Sequence, residues 1–318
     1  MTRIAVLDDY QGVAMECADW GSLPDNFSVS TFSEALGDED AIASALKEFE
    51  IVIGMRERTP FPKSLINKLP NLKLLITTGL RNMSFDVAAA NAQGVVVCGT
   101  ASQSTPAAEL TWALVLSLFK QIPLENTVMH SGGWQKAFPA TVNEKTIGTV
   151  GLGKLGSKIA AYGNVFGMKV LAWSPNLTQE RADEHNATAV SKEALFAESD
   201  IVTIHMPLVP ASRGLITAED INRMKPTAFL VNTSRGPIVD EAALADACRN
   251  GTIAGAGVDV YDIEPLATDH PFRSLDNMIL TGHIGYVTRE NYEGMYTHSI
   301  ENIKAWMDGN PIRVLEAN

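Results

Sequence analysis

The sequence predicts an α/β fold made of two doubly wound parallel-sheet domains. Short apolar segments alternate with amphipathic ones over the first hundred residues, and the same alternation restarts at Thr146. Between the two series, Ala107–Phe119 is apolar on most faces and predicts a buried helix. The strand candidates of the first series are Ile4–Leu7, Ile51–Ile53, Leu72–Ile76 and Val95–Val97.

The second series supplies further strands and two capped helix starts. Thr217 with Asp220, and separately Asp240, are typical of helix N-caps, while Gly251 is typical of a helix stop. The stretch 288–307 has a helical pattern and is expected to return to the first sheet. We therefore place one domain at residues 1–99, completed by 288–318, and a second at 100–287. The strand candidates are Thr146–Val150, Lys169–Trp173, Ile201–His205, Ala228–Asn232, Gly257–Tyr261 and Met278–Thr281.

A glycine-rich turn connects the first strand of this second series to a helix. In such a turn the first glycine makes the tight bend, the second lets the backbone approach a pyrophosphate, and the third lets helix and strand pack closely. The helix N-terminus adds free N–H groups and a positive dipole end. The context of strand, turn and helix predicts a dinucleotide site. The turn reads Gly151-Leu152-Gly153-Lys154-Leu155-Gly156.

Composition limits the function classes. The net charge of −12 argues against nucleic acid or an anionic membrane surface as a general partner. Cys17, Cys98 and Cys248 are few and far apart, so they indicate reduced thiols without zinc spacing or a disulfide framework, and we expect no metal. No secretory signal and no run of apolar residues long enough to span a membrane is found, so the cytoplasm is the expected location.

Three charged or titratable side chains follow strand ends in the second series. Arg235 comes after the strand that ends at Asn232, Glu264 follows the next strand, and His283 follows the last one. Ligands of doubly wound sheets bind beyond the carboxyl ends of the strands. A guanidinium can bind a substrate carboxylate bidentately, and an imidazole oriented by a carboxylate can deliver a proton to a carbonyl oxygen.

Together these segments resemble the D-isomer-specific 2-hydroxyacid dehydrogenase family, in a short form without an added regulatory domain. The resemblance implies a Rossmann nucleotide-binding domain inserted in a flavodoxin-like substrate domain. It implies that Arg235 holds the substrate carboxylate, that His283 is the acid/base, and that Glu264 orients His283. It also implies a homodimer. The implied cofactor-side positions, beyond the glycine turn, are Ser174, Asn176, His205, Pro207, Thr233 and Asp259.

Two positions depart from the family pattern. The acid expected roughly 20 residues beyond the glycine turn, on the ribose hydroxyls, is replaced by Ser174-Pro175-Asn176, and Arg181 is the nearest cation. Without a carboxylate nothing repels a 2′-phosphate, so the choice of cofactor is open; we expect NAD, with NADP as a close alternative. In the first domain, Leu80 and Arg81 lie where the family binds substrate carboxylate with backbone N–H groups, and Arg81 replaces the usual glycine.

The sequence leaves three functions open. The first is an NAD(P)-dependent D-2-hydroxyacid dehydrogenase that reduces a small 2-oxo acid. The second is an NADPH-dependent glyoxylate or hydroxypyruvate reductase. The third is a nucleotide-sensing binding protein similar to the transcriptional corepressors of the family, which can retain the same Arg, Glu and His.

Overall fold

The computed structural model describes residues 1–317 and divides them into two compact units. The first unit comprises Met1–Gln103 and the segment from Val287 onward, and the second comprises Ser104–Tyr286. Each unit is built on one sheet whose strands pair in parallel. The predicted fold class is therefore confirmed.

The first unit has a five-stranded sheet in the order β2-β1-β3-β4-β5. Its central strands are continuous apolar runs because both of their faces are buried. β2 was missed by the sequence analysis, since it lies at an edge and none of its residues is fully buried. The strands are β1 Thr2–Val6, β2 Phe27–Thr31, β3 Ile51–Gly54, β4 Leu74–Thr77 and β5 Val96–Gly99. The helices of this part of the chain are α1 Glu39–Leu46, α2 Lys63–Ile66 and α3 Val87–Ala92.

The second unit has a seven-stranded sheet in the order β12-β11-β10-β9-β6-β7-β8. Its first four strands are β6 Thr146–Val150, β7 Lys169–Trp173, β8 Thr188–Ala189 and β9 Ile201–Ile204. Its last three are β10 Phe229–Asn232, β11 Gly255–Val258 and β12 Met278–Leu280. The predicted strand 257–261 is wrong by two to three residues: β11 starts and ends earlier. A Cβ on Gly255 would lie 2.1 Å from the carbonyl oxygen of Asn277, so this strand needs a residue type that strand patterns disfavour.

The second unit's helices are α4 Thr105–Lys120, α5 Ile122–His130, α6 Gly156–Val165, α7 Gln179–Asp183, α8 Lys192–Glu198, α9 Ala218–Asn222 and α10 Glu241–Arg249. Four of them, α7 to α10, start at a residue whose side chain caps them. The side chains of Thr217 and Asp240 accept hydrogen bonds from the third helical N–H, as their sequence context predicts. The chain returns to the first unit through a long helix, α11 Arg289–Met307, which Thr288 caps. Among residues 1–317, no helix combines the length and apolarity that crossing a bilayer requires.

One segment of the second unit lacks a buried face. No residue between Ile122 and Thr141 is buried, although helix α5 and the irregular stretch after it carry large apolar side chains. Trp134 is 73% exposed and Phe138 is 96% exposed. We call residues 122–141 the apolar arm.

Candidate active site

The carboxyl ends of five adjacent strands bring the predicted groups to one edge of the second sheet. The glycine turn follows β6, His205 follows β9, and Arg235 lies three residues after β10. Asp259 and then Glu264 follow β11, and His283 follows β12. Since β12, β11, β10, β9 and β6 are consecutive in the sheet, parallel pairing alone makes these loops neighbours.

Each glycine of the turn has a different steric requirement. Gly151 has φ of +95°, which a residue with a Cβ rarely adopts. A Cβ on Gly156 would lie 1.9 Å from the carbonyl oxygen of Gly151, so helix α6 and the turn can pack only with glycine there. A Cβ on Gly153 would meet nothing within 4 Å, and this residue is exposed. The open space over Gly153, next to the α6 N-terminus, fits a pyrophosphate.

The other cofactor-side residues surround this turn in different ways. Lys154 is exposed and Leu155 is half-buried before α6. The Pro207 carbonyl accepts a hydrogen bond from the Ser212 hydroxyl at 2.6 Å, and Thr233 shares a buried hydrogen bond with Thr111 at 2.6 Å. Thr111 was missed by the sequence analysis, because a threonine inside a helix carries no signal for a distant partner.

His205 packs against the glycine turn. Its Nε2 atom is buried and has no hydrogen-bond partner among residues 1–317, and burial lowers the pKa of His205 to about 3. Its backbone carbonyl would lie 3.1 Å from a Cβ on Gly151. The side chain is therefore neutral near neutral pH.

The imidazole of His283 contacts the carboxylate of Glu264. The Nδ1 atom of His283 lies 2.6 Å from Oε2 of Glu264, and both side chains are mostly buried. The other carboxylate oxygen, Oε1, accepts a hydrogen bond from the backbone N–H of Tyr261 at 3.0 Å. The carboxylate is thus fixed by its own loop, and in turn it fixes the orientation and tautomer of the imidazole.

Asp259 holds the loop that carries His283. Its buried carboxylate accepts hydrogen bonds from the Thr281 hydroxyl at 2.6 Å and from the N–H groups of Ile284 at 2.8 Å and Gly285 at 2.9 Å. Burial raises the pKa of Asp259 above its ordinary value, and these hydrogen bonds oppose that effect. His283 itself has φ of +55°. The loop conformation that presents the imidazole therefore depends on Asp259.

The segment bearing Arg235 packs directly against the one bearing Glu264. A Cβ on Gly236 would lie 2.0 Å from the carbonyl carbon of Tyr261, so only glycine allows this approach of the two backbones. The Asn232 amide donates to the carbonyl of Arg235 at 3.0 Å, and Arg235 Nη1 donates to the carbonyl of Ser234 at 2.7 Å. Asn232 was not predicted as part of the site, although its position at a strand end before Thr-Ser is typical of a side chain that closes a turn.

The end of β7 carries no carboxylate in the position expected for a ribose partner. Ser174 is half-buried, Asn176 is exposed, and the backbone N–H of Leu177 bonds to the Ser174 carbonyl at 3.1 Å. Arg181 is exposed in the short helix α7. This end of the strand offers hydroxyl and amide groups, and it has no acid to repel a 2′-phosphate.

In the first unit, Leu80 and Arg81 follow β4 at the carboxyl edge of the five-stranded sheet. Both residues are exposed. The structure thus places them at the edge where a doubly wound sheet binds ligands.

The family whose model matches this chain covers most of the second unit. Residues 112–285 match the model of the D-isomer specific 2-hydroxyacid dehydrogenase NAD-binding domain. The chain belongs to this family. The family model supports NAD as the cofactor, and NADP stays compatible with the residues at the end of β7.

Curated dehydrogenases and reductases are similar in sequence to most of this chain. A D-3-phosphoglycerate dehydrogenase of Synechocystis sp. is 37% identical over 278 residues, which are 86% of this chain and 50% of that protein. A glyoxylate reductase of Aeropyrum pernix is 35% identical over 77% of this chain and 76% of its own length. The chain spans about half the length of the curated phosphoglycerate dehydrogenases that it matches. The structure of a phosphoglycerate oxidoreductase from Vibrio cholerae O395 is 35% identical, covers 97% of this chain and 100% of its own, and has a TM-score of 0.91.

Proposed function

We propose that this chain is an NAD(P)-dependent D-2-hydroxyacid dehydrogenase that reduces small 2-oxo acids. The observation that carries the proposal is the contact of 2.6 Å between His283 Nδ1 and Glu264 Oε2 at the carboxyl edge of the second sheet. An imidazole paired with a carboxylate is a proton donor and acceptor suited to neutral pH. The family membership and the names of the relatives support the same activity.

A bound nicotinamide cofactor would supply the hydride for the carbonyl carbon of the 2-oxo acid. The residues that would hold it are those of the glycine turn, with Thr233 and Pro207 on neighbouring strand ends. Because Nδ1 of His283 faces Glu264, we assign Nε2 as the atom that gives a proton to the carbonyl oxygen in reduction and takes it back in oxidation. Glu264 fixes the orientation and the tautomer of the imidazole.

We assign Arg235 to the carboxylate of the substrate. A guanidinium offers two parallel N–H donors that match a carboxylate, and its charge stabilises the oxygen that becomes an alkoxide. The close packing of Gly236 against Tyr261 supports this role, because it fixes the backbone of the arginine beside the loop that bears Glu264.

The test is reduction of a panel of 2-oxo acids with NADH and with NADPH, followed by nicotinamide absorbance. We expect turnover with at least one of them, and we expect His283→Ala to lower kcat by about two to four orders of magnitude. His270→Ala, which removes a histidine paired with Glu241 in the same unit, is the matched control and keeps the activity. Cofactor binding without turnover of any 2-oxo acid would contradict the proposal and favour the corepressor-like alternative.

The second candidate is an NADPH-dependent glyoxylate or hydroxypyruvate reductase. Ser174 and Asn176 favour it, because they stand where a carboxylate would exclude a 2′-phosphate. The ratio of kcat/KM for NADPH to that for NADH, measured with glyoxylate and with hydroxypyruvate, decides between the candidates. A ratio well above one selects this second function, and a ratio well below one selects an NAD-dependent enzyme.

We further propose that the protein is a homodimer and works in the cytoplasm. The apolar arm supports the dimer, because Trp134 and Phe138 expose aromatic surface that a second copy would cover. The same unit has an apolar groove of about 370 Å³ between α4 and α6, lined by residues that include Trp112, Tyr162 and Phe166. The aromatic side chains of the arm of a second copy would bind in this groove. Three buried cysteines without disulfides support a reducing compartment.

A further inference from the structure

Tyr261 connects the loop that carries Glu264 to the strand end that presents His283. Its backbone N–H donates to Oε1 of Glu264 at 3.0 Å. Its hydroxyl, at the far end of the side chain, donates to the carbonyl oxygen of Thr281 at 2.8 Å, two residues before His283. The same residue therefore makes a hydrogen bond on each side of the contact between imidazole and carboxylate.

The strand that precedes His283 is short and lies at an edge. β12 is three residues long and occupies the end of the seven-stranded sheet, beside β11. The backbone of an edge strand has a partner strand on one side only, so additional hydrogen bonds matter more there than in the centre of a sheet. Thr281 follows β12 directly, and its hydroxyl donates to Asp259 at 2.6 Å. Because the next residue, Gly282, is exposed, the contacts of Thr281 determine where the chain turns toward His283.

The ring of Tyr261 is packed in the core of the second unit, which fixes the position of its hydroxyl. Tyr261 is 6% exposed, and its ring lies against Phe272 with 6.5 Å between the ring centroids. Burial raises the pKa of the Tyr261 phenol above its ordinary value, so the hydroxyl stays protonated and remains a donor. A phenylalanine would keep the packing of the ring, so the packing alone does not require the hydroxyl.

We propose that Tyr261 is a positioning residue for proton transfer, and that its hydroxyl holds the chain before His283 where the imidazole meets Glu264. This inference rests on the proposed function, in which His283 exchanges a proton with the substrate. Tyr261 acts through His283 and not on the substrate itself. A misplacement of about 1 Å can lower the rate of a reaction about a hundredfold. A smaller shift of the imidazole after loss of one hydrogen bond therefore has a measurable effect on the chemical step.

The variant that isolates the hydroxyl is Tyr261→Phe. The substrate is the 2-oxo acid of the panel that the parent protein reduces fastest. We expect the variant to lower the single-turnover rate of reduction about threefold to thirtyfold, because the imidazole is less well placed. We expect KM and the affinity for the nicotinamide cofactor to stay within about twofold of the parent. A single-turnover measurement separates the chemical step from product release.

Tyr292→Phe is the matched control. Tyr292 is 2% exposed, and its hydroxyl donates to Oε1 of Gln11 at 3.0 Å in the first unit. This substitution therefore also removes a phenol hydrogen bond from a buried tyrosine. Both variants should lower the midpoint of urea unfolding by similar amounts, but only Tyr261→Phe should lower the single-turnover rate. Equal losses of rate in the two variants would show that the rate follows stability, and would overturn the inference.

A second measurement tests whether the hydroxyl acts through His283. In the His283→Ala background, Tyr261→Phe should lower the residual rate less than about twofold, because the imidazole that it positions is already gone. A parental single-turnover rate for Tyr261→Phe, or the same fold loss with and without His283, would overturn the inference and leave the proposed function standing. Absence of turnover of every 2-oxo acid by the parent would instead overturn the proposed function, and the inference with it.

Discussion

The carboxylate of Glu264 is held by its own backbone before it meets His283. One oxygen accepts the N–H of Tyr261, and the other lies 2.6 Å from Nδ1 of the histidine. Because the carboxylate does not depend on the imidazole for its position, it can orient the ring. A substitution that keeps the size of the side chain and removes its charge therefore tests this contact.

We predict that Glu264→Gln lowers kcat for reduction about tenfold to a hundredfold. The amide keeps the size of the side chain and a polar contact, but it lacks the carboxylate charge that accepts the hydrogen bond of His283 Nδ1. Steady-state kinetics of parent and variant with the same 2-oxo acid measure this.

Glu219→Gln is the control for that comparison, since it removes an exposed carboxylate of α9 that pairs with Arg223. It should leave kcat unchanged. A Glu264→Gln variant with the kcat of the parent would show that the carboxylate does not act through His283.

The order of Arg235, Glu264 and His283 along the chain was enough to predict that they come together, because each follows a strand of one parallel sheet. Asp259 was less predictable. The sequence suggested a contact with the cofactor, and the structure shows its carboxylate accepting hydrogen bonds from two backbone N–H groups and the Thr281 hydroxyl. Backbone donors leave no trace in a residue pattern, so such an anchoring role becomes visible only when the loop conformation is known.

At the scale of elements, the glycine turn offers a pair of substitutions with opposite consequences. Gly153→Val adds a side chain in open space, so we predict that the protein folds normally but loses cofactor binding, because the pyrophosphate would approach the backbone there. Gly156→Ala places a Cβ 1.9 Å from a backbone oxygen, so we predict a loss of at least about 2 kcal/mol in the free energy of unfolding. Cofactor titration by fluorescence and urea unfolding measure the two effects.

The two variants control for one another. A Gly153→Val variant that binds cofactor with unchanged affinity would remove this glycine from the phosphate site. An unstable Gly153→Val variant would show that the added side chain does not lie in open space. A Gly156→Ala of parental stability would show that the turn can relax away from α6.

Strand β9 is followed by His205, whose burial makes the free energy of unfolding depend on pH. The folded-state pKa of His205 is about 3 and its ordinary value is 6.5, so between these values the unfolded state binds the additional proton. The stability that comes from a neutral His205 is therefore present above pH 6.5 and is lost as pH falls toward 3. Between pH 7 and pH 5 the loss is about 2 kcal/mol.

We predict that His205→Gln removes this dependence on pH. The parent should lose about 2 kcal/mol more than the variant when urea unfolding is compared at pH 7 and pH 5. Because each protein is compared with itself at the two pH values, any change in the free energy of unfolding that the substitution causes equally at both pH values cancels. Identical losses in the two proteins would show that His205 becomes protonated without unfolding.

The two strands that were not predicted, β2 and β8, escaped prediction for the same physical reason. β2 and β8 lie at sheet edges, where one side needs no partner and burial is incomplete, so their apolar pattern is weak. The bounds of β11 were predicted wrongly because the strand contains Gly255 and Gly257, which strand patterns disfavour. Glycine is needed at both positions because close neighbours leave little room for a side chain: the Asn277 carbonyl beside Gly255 and Leu114 of α4 beside Gly257. Central strands such as β3 and β9 were predicted from their continuous apolar runs, because the sheet buries them on both faces.

At the scale of the whole molecule, the exposed aromatic residues of the apolar arm predict how the oligomeric state changes when a charged residue is introduced there. Phe138 is 96% exposed, so Phe138→Glu costs the isolated chain almost nothing, whereas a glutamate facing an apolar groove of a second copy would be desolvated. We expect the parent to be a dimer and Phe138→Glu to shift it toward the monomer in size-exclusion chromatography with light scattering.

Met15→Glu is the control, since it changes an exposed apolar residue of the first unit. It should leave the mass unchanged. A parent that is monomeric at micromolar concentration, or a Phe138→Glu variant with the same mass as a dimeric parent, would contradict the proposed interface.

The first unit is assembled from the two ends of the chain, and this affects the order of folding. The N–H of Gly99 donates to the carbonyl of Arg313, and the Asn302 amide donates to the carbonyl of Gly99, across about two hundred intervening residues. The second unit consists of one uninterrupted stretch, so all of its contacts are available once residue 286 has been synthesised. On the ribosome, the part of the chain that is made later therefore completes its fold first, and the end of β5 has to wait for partners that are among the last residues to be made.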